Sequence, residues 1–220
     1  MIDYITEKVK DTPRYFRFGG IDVVQGDDLP DNVNMDAVFR TIEAALPPHF
    51  LRKLKGVKIK HLDFFNDRNA SAFYKDGILH ITSDQDSNND LINDICHELG
   101  HHVEELYPSE IYEDTEVAEE FLRKRKQLKS EIQSEGYWVS EYNFQELAYN
   151  DKFDNFLYKR LGKTMLRMVT AGIFIRPYAS VSLREYFATG FEAYYCGNKE
   201  SLHKVSPILY KKIDTLHNLV

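Results

Sequence analysis

At 220 residues the chain can build one well-buried domain or two small lobes, but not several independent domains. Its apolar share of 43% and charged share of 29% suit a globular fold, and a net charge of −7 argues against a general nucleic-acid binder. No apolar run approaches the length of a membrane span, and residues 1–16 are polar and mixed in charge, unlike a secretory leader.

The two cysteines, Cys96 and Cys196, are too few for a disulfide framework. The default expectation is a pair of reduced thiols in a cytoplasmic protein, with unconventional export or injection as the alternative.

In chain order, residues 15–24 (YFRFGGIDVV) read as a strand. Residues 32–46 carry Val33, Ala37, Val38, Ile42 and Ala45 at helical spacing and stop at Pro47-Pro48. Residues 57–65 alternate as a strand through Val57, Ile59 and His61. Segments 72–74 and 78–82 flank Asp76-Gly77, a strong hairpin signal. From residue 87 onward the pattern is almost wholly helical. A helix over 88–106 is stopped by Pro108, and one over 114–134 is closed by Gly136. Shorter helices are expected at 140–149, 152–161 and 163–171. After Arg176-Pro177-Tyr178 a last pair covers 182–196 and 205–217.

The helix over 88–106 contains His97-Glu98-Leu99-Gly100-His101, which fits H-E-x-x-H. Histidines at i and i+4 lie about 40° apart on one helix face, so both imidazoles can meet one ion. A glutamate between them flanks that ion and can take a proton from the attacking water. Leu91, Ile92, Ile95, Leu99, Val103 and Leu106 form an apolar stripe. His97 and His101 lie opposite it, near Asp90, Asp94 and Glu104. His102 sits at the stripe's edge and reads as a packing residue.

A catalytic zinc needs a third protein ligand. The extended pattern H-E-x-x-H-x-x-G-x-x-H is not met, since Glu104 stands at the glycine position and Tyr107 at the third histidine. A carboxylate farther along is required. Glu185 is one candidate: Leu183, Phe187, Phe191 and Tyr194 form an apolar stripe, while Glu185, Thr189, Glu192 and Cys196 face the other way. Ser182-x-x-Glu185 also reads as a capping box, which would spend the same carboxylate on the helix start. Glu146 is the other candidate ligand.

HELGH, Tyr178 seven residues ahead of Glu185, and the run Glu185-Tyr186-Phe187-Ala188 resemble the lethal-factor-like zinc metallopeptidases. That family includes the catalytic domain of anthrax lethal factor and the Pro-Pro endopeptidases. The resemblance covers about residues 74–216 and is carried by those two motifs. It implies a zincin-like α+β fold, with a small mixed sheet, an edge strand above the HExxH helix and a mainly helical lobe after it. One metallopeptidase domain over 1–220 would then comprise an α/β lobe (1–86) and a helical lobe (87–220) flanking the active-site cleft.

The resemblance further implies zinc held by His97, His101 and Glu185, with Glu98 as general base and Tyr178 as partner of the oxyanion. It implies a protein or peptide substrate lying extended along the strand at 78–82. Family members often carry a glutamate four residues after the zinc glutamate, where this chain has Thr189. The hydrogen bond that orients a zinc histidine would then come from Asp94 or Glu192. The long stretch 102–177 would cover part of the cleft or shape specificity. The alternative function is an inactive zinc-binding or metal-free interaction module on the same fold.

Two further signals are discounted. Arg123-Lys124-Arg125-Lys126 follows Glu116, Glu119 and Glu120 and reads as a solvated, ion-paired helix face. The Asp/Asn run at 84–90 lacks the glycine and terminal glutamate of an EF-hand loop and reads as a turn and helix N-cap.

Overall fold

The computed structural model describes residues 13–61 and 71–219. The chain divides into two compact units, Met1–His102 and Val103–Val220, with the division inside a helix. Part of the strand expected over 57–65 lies outside the described residues.

The first unit is a five-stranded mixed sheet with helices. Strands β1 (Arg14–Phe18) and β2 (Ile21–Gln25) are an antiparallel hairpin. The single strand expected over 15–24 is thus two strands. Gly19 and Gly20 both take positive φ, +54° and +83°, and turn the chain back in two residues. Helix α1 (Met35–Ala45) is N-capped by Asn34, whose side chain accepts from the Ala37 N–H, and it buries Val38, Phe39 and Ile42. Strand β3 (Gly56–Ile59) follows. Strands β4 (Ala72–Lys75) and β5 (Ile78–Ile81) form the expected hairpin around Asp76-Gly77, both with positive φ.

The strand order is β1-β2-β3-β5-β4, with β2–β3 and β3–β5 parallel and the outer pairs antiparallel. β5 was expected to offer a free edge for substrate. It does not, because β3 pairs with one side of it and β4 with the other, and its ladder groups are already used. The edge strand next to it is β4. Phe18, Val23, Val57, Ile59, Leu79 and Ile81 alternate onto the buried face. Leu91, Ile95 and Leu99 of helix α2 (Asn88–Leu106) are fully buried as well. Each such side chain contributes about 1.5–3 kcal/mol by leaving water.

The second unit is helical among its described residues. Pro108 ends α2 and also opens a short helix, α3 (Pro108–Tyr112), where its missing N–H costs nothing. Helix α4 (Glu116–Ser134) follows. No helix forms over 140–149. There the carbonyls of Phe144 and Glu146 accept from the Arg125 guanidinium and that of Leu147 from the Leu183 N–H, so tertiary partners replace the i→i+4 ladder. Helix α5 (Asp151–Asn155) runs through a π-helical turn (Phe156–Leu161) into α6 (Gly162–Thr170). A 3-10 turn (Pro177–Ser180) leads to α7 (Leu183–Tyr195). The expected last helix is α9 (Pro207–His217), with proline in its first turn, and it is preceded by a short helix that was not expected, α8 (Lys199–Val205).

Phe121, Leu128, Phe187, Phe191, Leu209 and Ile213 are buried in this unit. Glu120 is buried among them and is fully used. It accepts from the Tyr186 hydroxyl at 2.7 Å and from the backbone N–H groups of Ile208 and Leu209 at 3.1 and 3.0 Å. Its carboxylate therefore caps α9, whose own N-cap Ser206 makes no side-chain cap bond. No helix among the described residues is long and apolar enough to cross a membrane.

Candidate metal centre

Helix α2 starts where the β4–β5 hairpin hands over to the turn at 82–87. Ser87 accepts from the Asp90 N–H and donates to the Asp90 carboxylate, which closes the first turn of the helix. Two other polar residues of the 84–90 run have partners farther off in the sequence. Asp84 meets His61 Nδ1 at 2.8 Å, and Asn88 accepts from the Asn34 N–H. The cap fixes the phase of the helix, and the apolar stripe Leu91, Ile95, Leu99 and Val103 fixes its rotation.

That rotation presents His97, Glu98 and His101 together. Each offers one ligand atom, and the three atoms lie within 4.8 Å of one another. The two imidazoles stand nearly perpendicular, with centroids 5.0 Å apart. Glu98 and His101 are only 8% and 6% exposed, and His97 is half-buried. A shielded pair of imidazoles with a carboxylate beside them is a donor set for a divalent metal ion. Burial also limits competition from water and strengthens the electrostatics of the group.

Asp94 sits one turn ahead on the same helix, close enough for Glu98 and His97 to act on its charge. Its carboxyl is pushed up to about 6, first by burial and then by the Glu98 charge. Hydrogen bonds from Gln85 and Ser71 and the charge of His97 pull the other way. Gln85 is itself fixed by a bond to the Thr82 carbonyl. His102 is no ligand: Nδ1 meets the Tyr74 hydroxyl at 3.1 Å and Nε2 the Arg52 carbonyl at 2.9 Å.

The remaining predicted residues belong to the second unit. Glu185 is half-buried in the first turn of α7, where Ser182 accepts from its N–H at 3.2 Å. The cap at Ser182 is therefore real. Thr189, one turn on, is buried, and its hydroxyl has no hydrogen-bond partner among the described residues. Glu192 binds the Arg176 guanidinium. Tyr178 lies in the 3-10 turn, 40% exposed. Burial of its hydroxyl, followed by the Glu185 charge, drives the phenol well above its ordinary range. Tyr178 and Glu185 are thus within electrostatic reach of each other. The other candidate, Glu146, accepts from the Asn150 amide at 2.9 Å.

Two readings of the sequence are corrected. Both cysteines are disulfide-bonded, so they are not reduced thiols, and Cys196 offers no thiolate to a metal. In the basic run of α4, Arg123 and Lys126 are exposed, but Lys124 and Arg125 are buried. Lys124 donates to the carbonyls of Ile173 and Val205, and Arg125 to those of Phe144, Ser180 and Glu146. Arg125 and Arg176, which no sequence motif marks, thus bind the Phe144, Ser180 and Glu146 carbonyls and the Glu192 carboxylate, respectively. A hint lay in the spacing, since Arg125 follows Phe121 by one helical turn and precedes Leu128 by three residues, on the buried face. No family model, curated protein or solved structure matches the chain.

Proposed function

We propose that this protein is a zinc-dependent endopeptidase. The observation that carries the proposal is the gathering of two imidazoles and a carboxylate on one shielded helix face, with donor atoms within 4.8 Å. In this reading His97 and His101 hold the ion, and Glu185 completes the set. Zinc would supply Lewis acidity toward the scissile carbonyl and lower the pKa of water at the site. Glu98 takes the proton of the attacking water and returns a proton to the leaving amine. The Tyr178 hydroxyl donates to the oxygen that gains charge in the transition state, and the raised phenol pKa keeps that proton in place. Asp94 orients an imidazole from one turn away. The substrate lies extended along β4, the edge strand that pairs with β5. The disulfide state of both cysteines favours an oxidising compartment over the cytoplasm.

The test joins elemental analysis with a peptide-library digest, with and without chelator. Stoichiometric zinc and chelator-sensitive cleavage are expected. Glu98→Ala should keep its zinc and lose hydrolysis by about a thousandfold or more. Loss of zinc in that variant would show that Glu98 is a ligand and not the base. Full activity would sink the mechanism.

A second reading, an inactive metal-binding interaction module, is favoured by Thr189. Its orphan hydroxyl stands where the resembling family carries a carboxylate. Stoichiometric zinc without cleavage of any library member would support that reading.

A further inference from the structure

We propose that Arg125 is a positioning residue for Tyr178, holding the turn that carries the phenol through the Ser180 carbonyl. In its activity arm the proposal rests on the peptidase reading above.

Arg125 is 1% exposed, among the most deeply buried large side chains of the chain. Its hydrogen bonds go to carbonyls and not to a carboxylate. Nη1 donates to Ser180 O at 2.6 Å, Nη2 to Glu146 O at 3.1 Å and Nε to Phe144 O at 3.4 Å. Its carbon Cζ lies 3.9 Å from the ring centroid of Phe153 and 5.2 Å from that of Phe121. Burying a cation this way is costly unless every donor finds a partner, so a role in core packing alone would be served better by an apolar residue. The planar fork joins two irregular segments that share no regular ladder.

The second of those segments is Pro177–Ser180. Its other end is held too, by the Arg176 side chain on Glu192 of α7. Within the turn, the Ala179 N–H donates to Arg176 O and the Val181 N–H to Tyr178 O, while Ser180 Oγ donates to Pro177 O. Leu183 N–H donates to Leu147 O, which ties the start of α7 to the first segment. Tyr178 is thus an exposed side chain on a turn fixed at both ends. Arg125 supplies the end that lies deepest.

Arg125→Lys keeps the charge but cannot hold the fork. Hydrogen exchange should rise about tenfold or more at the amides of Ala179, Val181 and Leu183, with those of α9 unchanged. Zinc content should stay at the wild-type level. On a peptide chosen from the wild-type digest, kcat should fall about tenfold with KM within about twofold. In a Tyr178→Phe background the same change should cost nothing further, because the two residues act as one unit.

Unchanged exchange in the 177–183 segment, or equal loosening throughout the second unit, would overturn the proposal. So would multiplicative losses in the double variant. If the wild type cleaves nothing, the peptidase reading fails, and the exchange measurement still decides whether Arg125 holds the turn. Arg125→Met, which keeps length but loses every donor, should accelerate the same three amides more than Arg125→Lys if the protein folds.

Discussion

Asp94 is a carboxyl whose burial and neighbouring Glu98 raise its pKa from 3.8 to about 6. A raised carboxyl pKa means that the fold prefers the protonated form. Its contribution to stability is fully present below the unfolded value and is lost as pH rises through about 6. With metal removed, an Asp94→Asn variant, which never ionises, should therefore gain on the wild type between about pH 4 and pH 7, by at most about 3 kcal/mol. Denaturant titrations in chelator at several pH values would show the two stability curves converging or crossing. Parallel curves would contradict the assignment. The histidines make a different prediction. Polar groups that merely support a ligand are worth about 10- to 100-fold in metal affinity, so His97→Ala or His101→Ala should cost more than about a hundredfold. Zinc competition titration checks this, and wild-type affinity in either variant would remove the site.

At the scale of elements, the HExxH helix was legible because three local signals agree on it. Its cap at Ser87, its apolar stripe and its stop at Pro108 fix start, rotation and end. The β4–β5 hairpin was legible for the same reason, through Asp76-Gly77. The segments that were misread depend on distant partners. The pattern over 140–149 suits a helix in isolation, but its carbonyls go to Arg125 and Leu183. The basic run of α4 resembles a solvated face, yet two of its cations seek carbonyls from residues 144, 146, 173, 180 and 205. Whether β5 or β4 is the edge is equally invisible locally, because it depends on β3 pairing with β5. Glu120 gives this scale its own test. Glu120→Ala would leave the Tyr186 hydroxyl and two backbone donors of α9 without their shared acceptor. A loss of about 3 kcal/mol or more is expected in denaturant unfolding, with Glu120→Gln intermediate. A loss below about 1 kcal/mol would mean that water replaces the carboxylate.

For the whole molecule, the sequence placed the α+β class and the gathered His97, Glu98 and His101, but not the oxidation state of sulfur. Nothing in the number of cysteines announces their oxidation state, which is decided by three-dimensional surroundings and compartment. The disulfide-bonded state of both cysteines predicts no free thiol in native protein and two after unfolding in reductant, as counted by thiol titration. Two reactive thiols in freshly purified native protein would overturn this. Metal should also stabilise the folded chain by mass action. Added zinc at about a hundred times its Kd is expected to contribute about 2.7 kcal/mol, read as a rise in the unfolding midpoint.

The capping of α9 by Glu120 bears on the order in which the chain becomes structured. The two backbone donors of α9 lie 88 and 89 residues beyond the carboxylate that receives them. During synthesis, α4 leaves the ribosome long before its partner exists, and α9 emerges with an unsatisfied first turn. Closing so long a loop is an entropic cost that precedes any reward from the contact. The C-terminal helix should therefore be the late-docking part of its unit, visible in stopped-flow refolding as the last amides to gain protection.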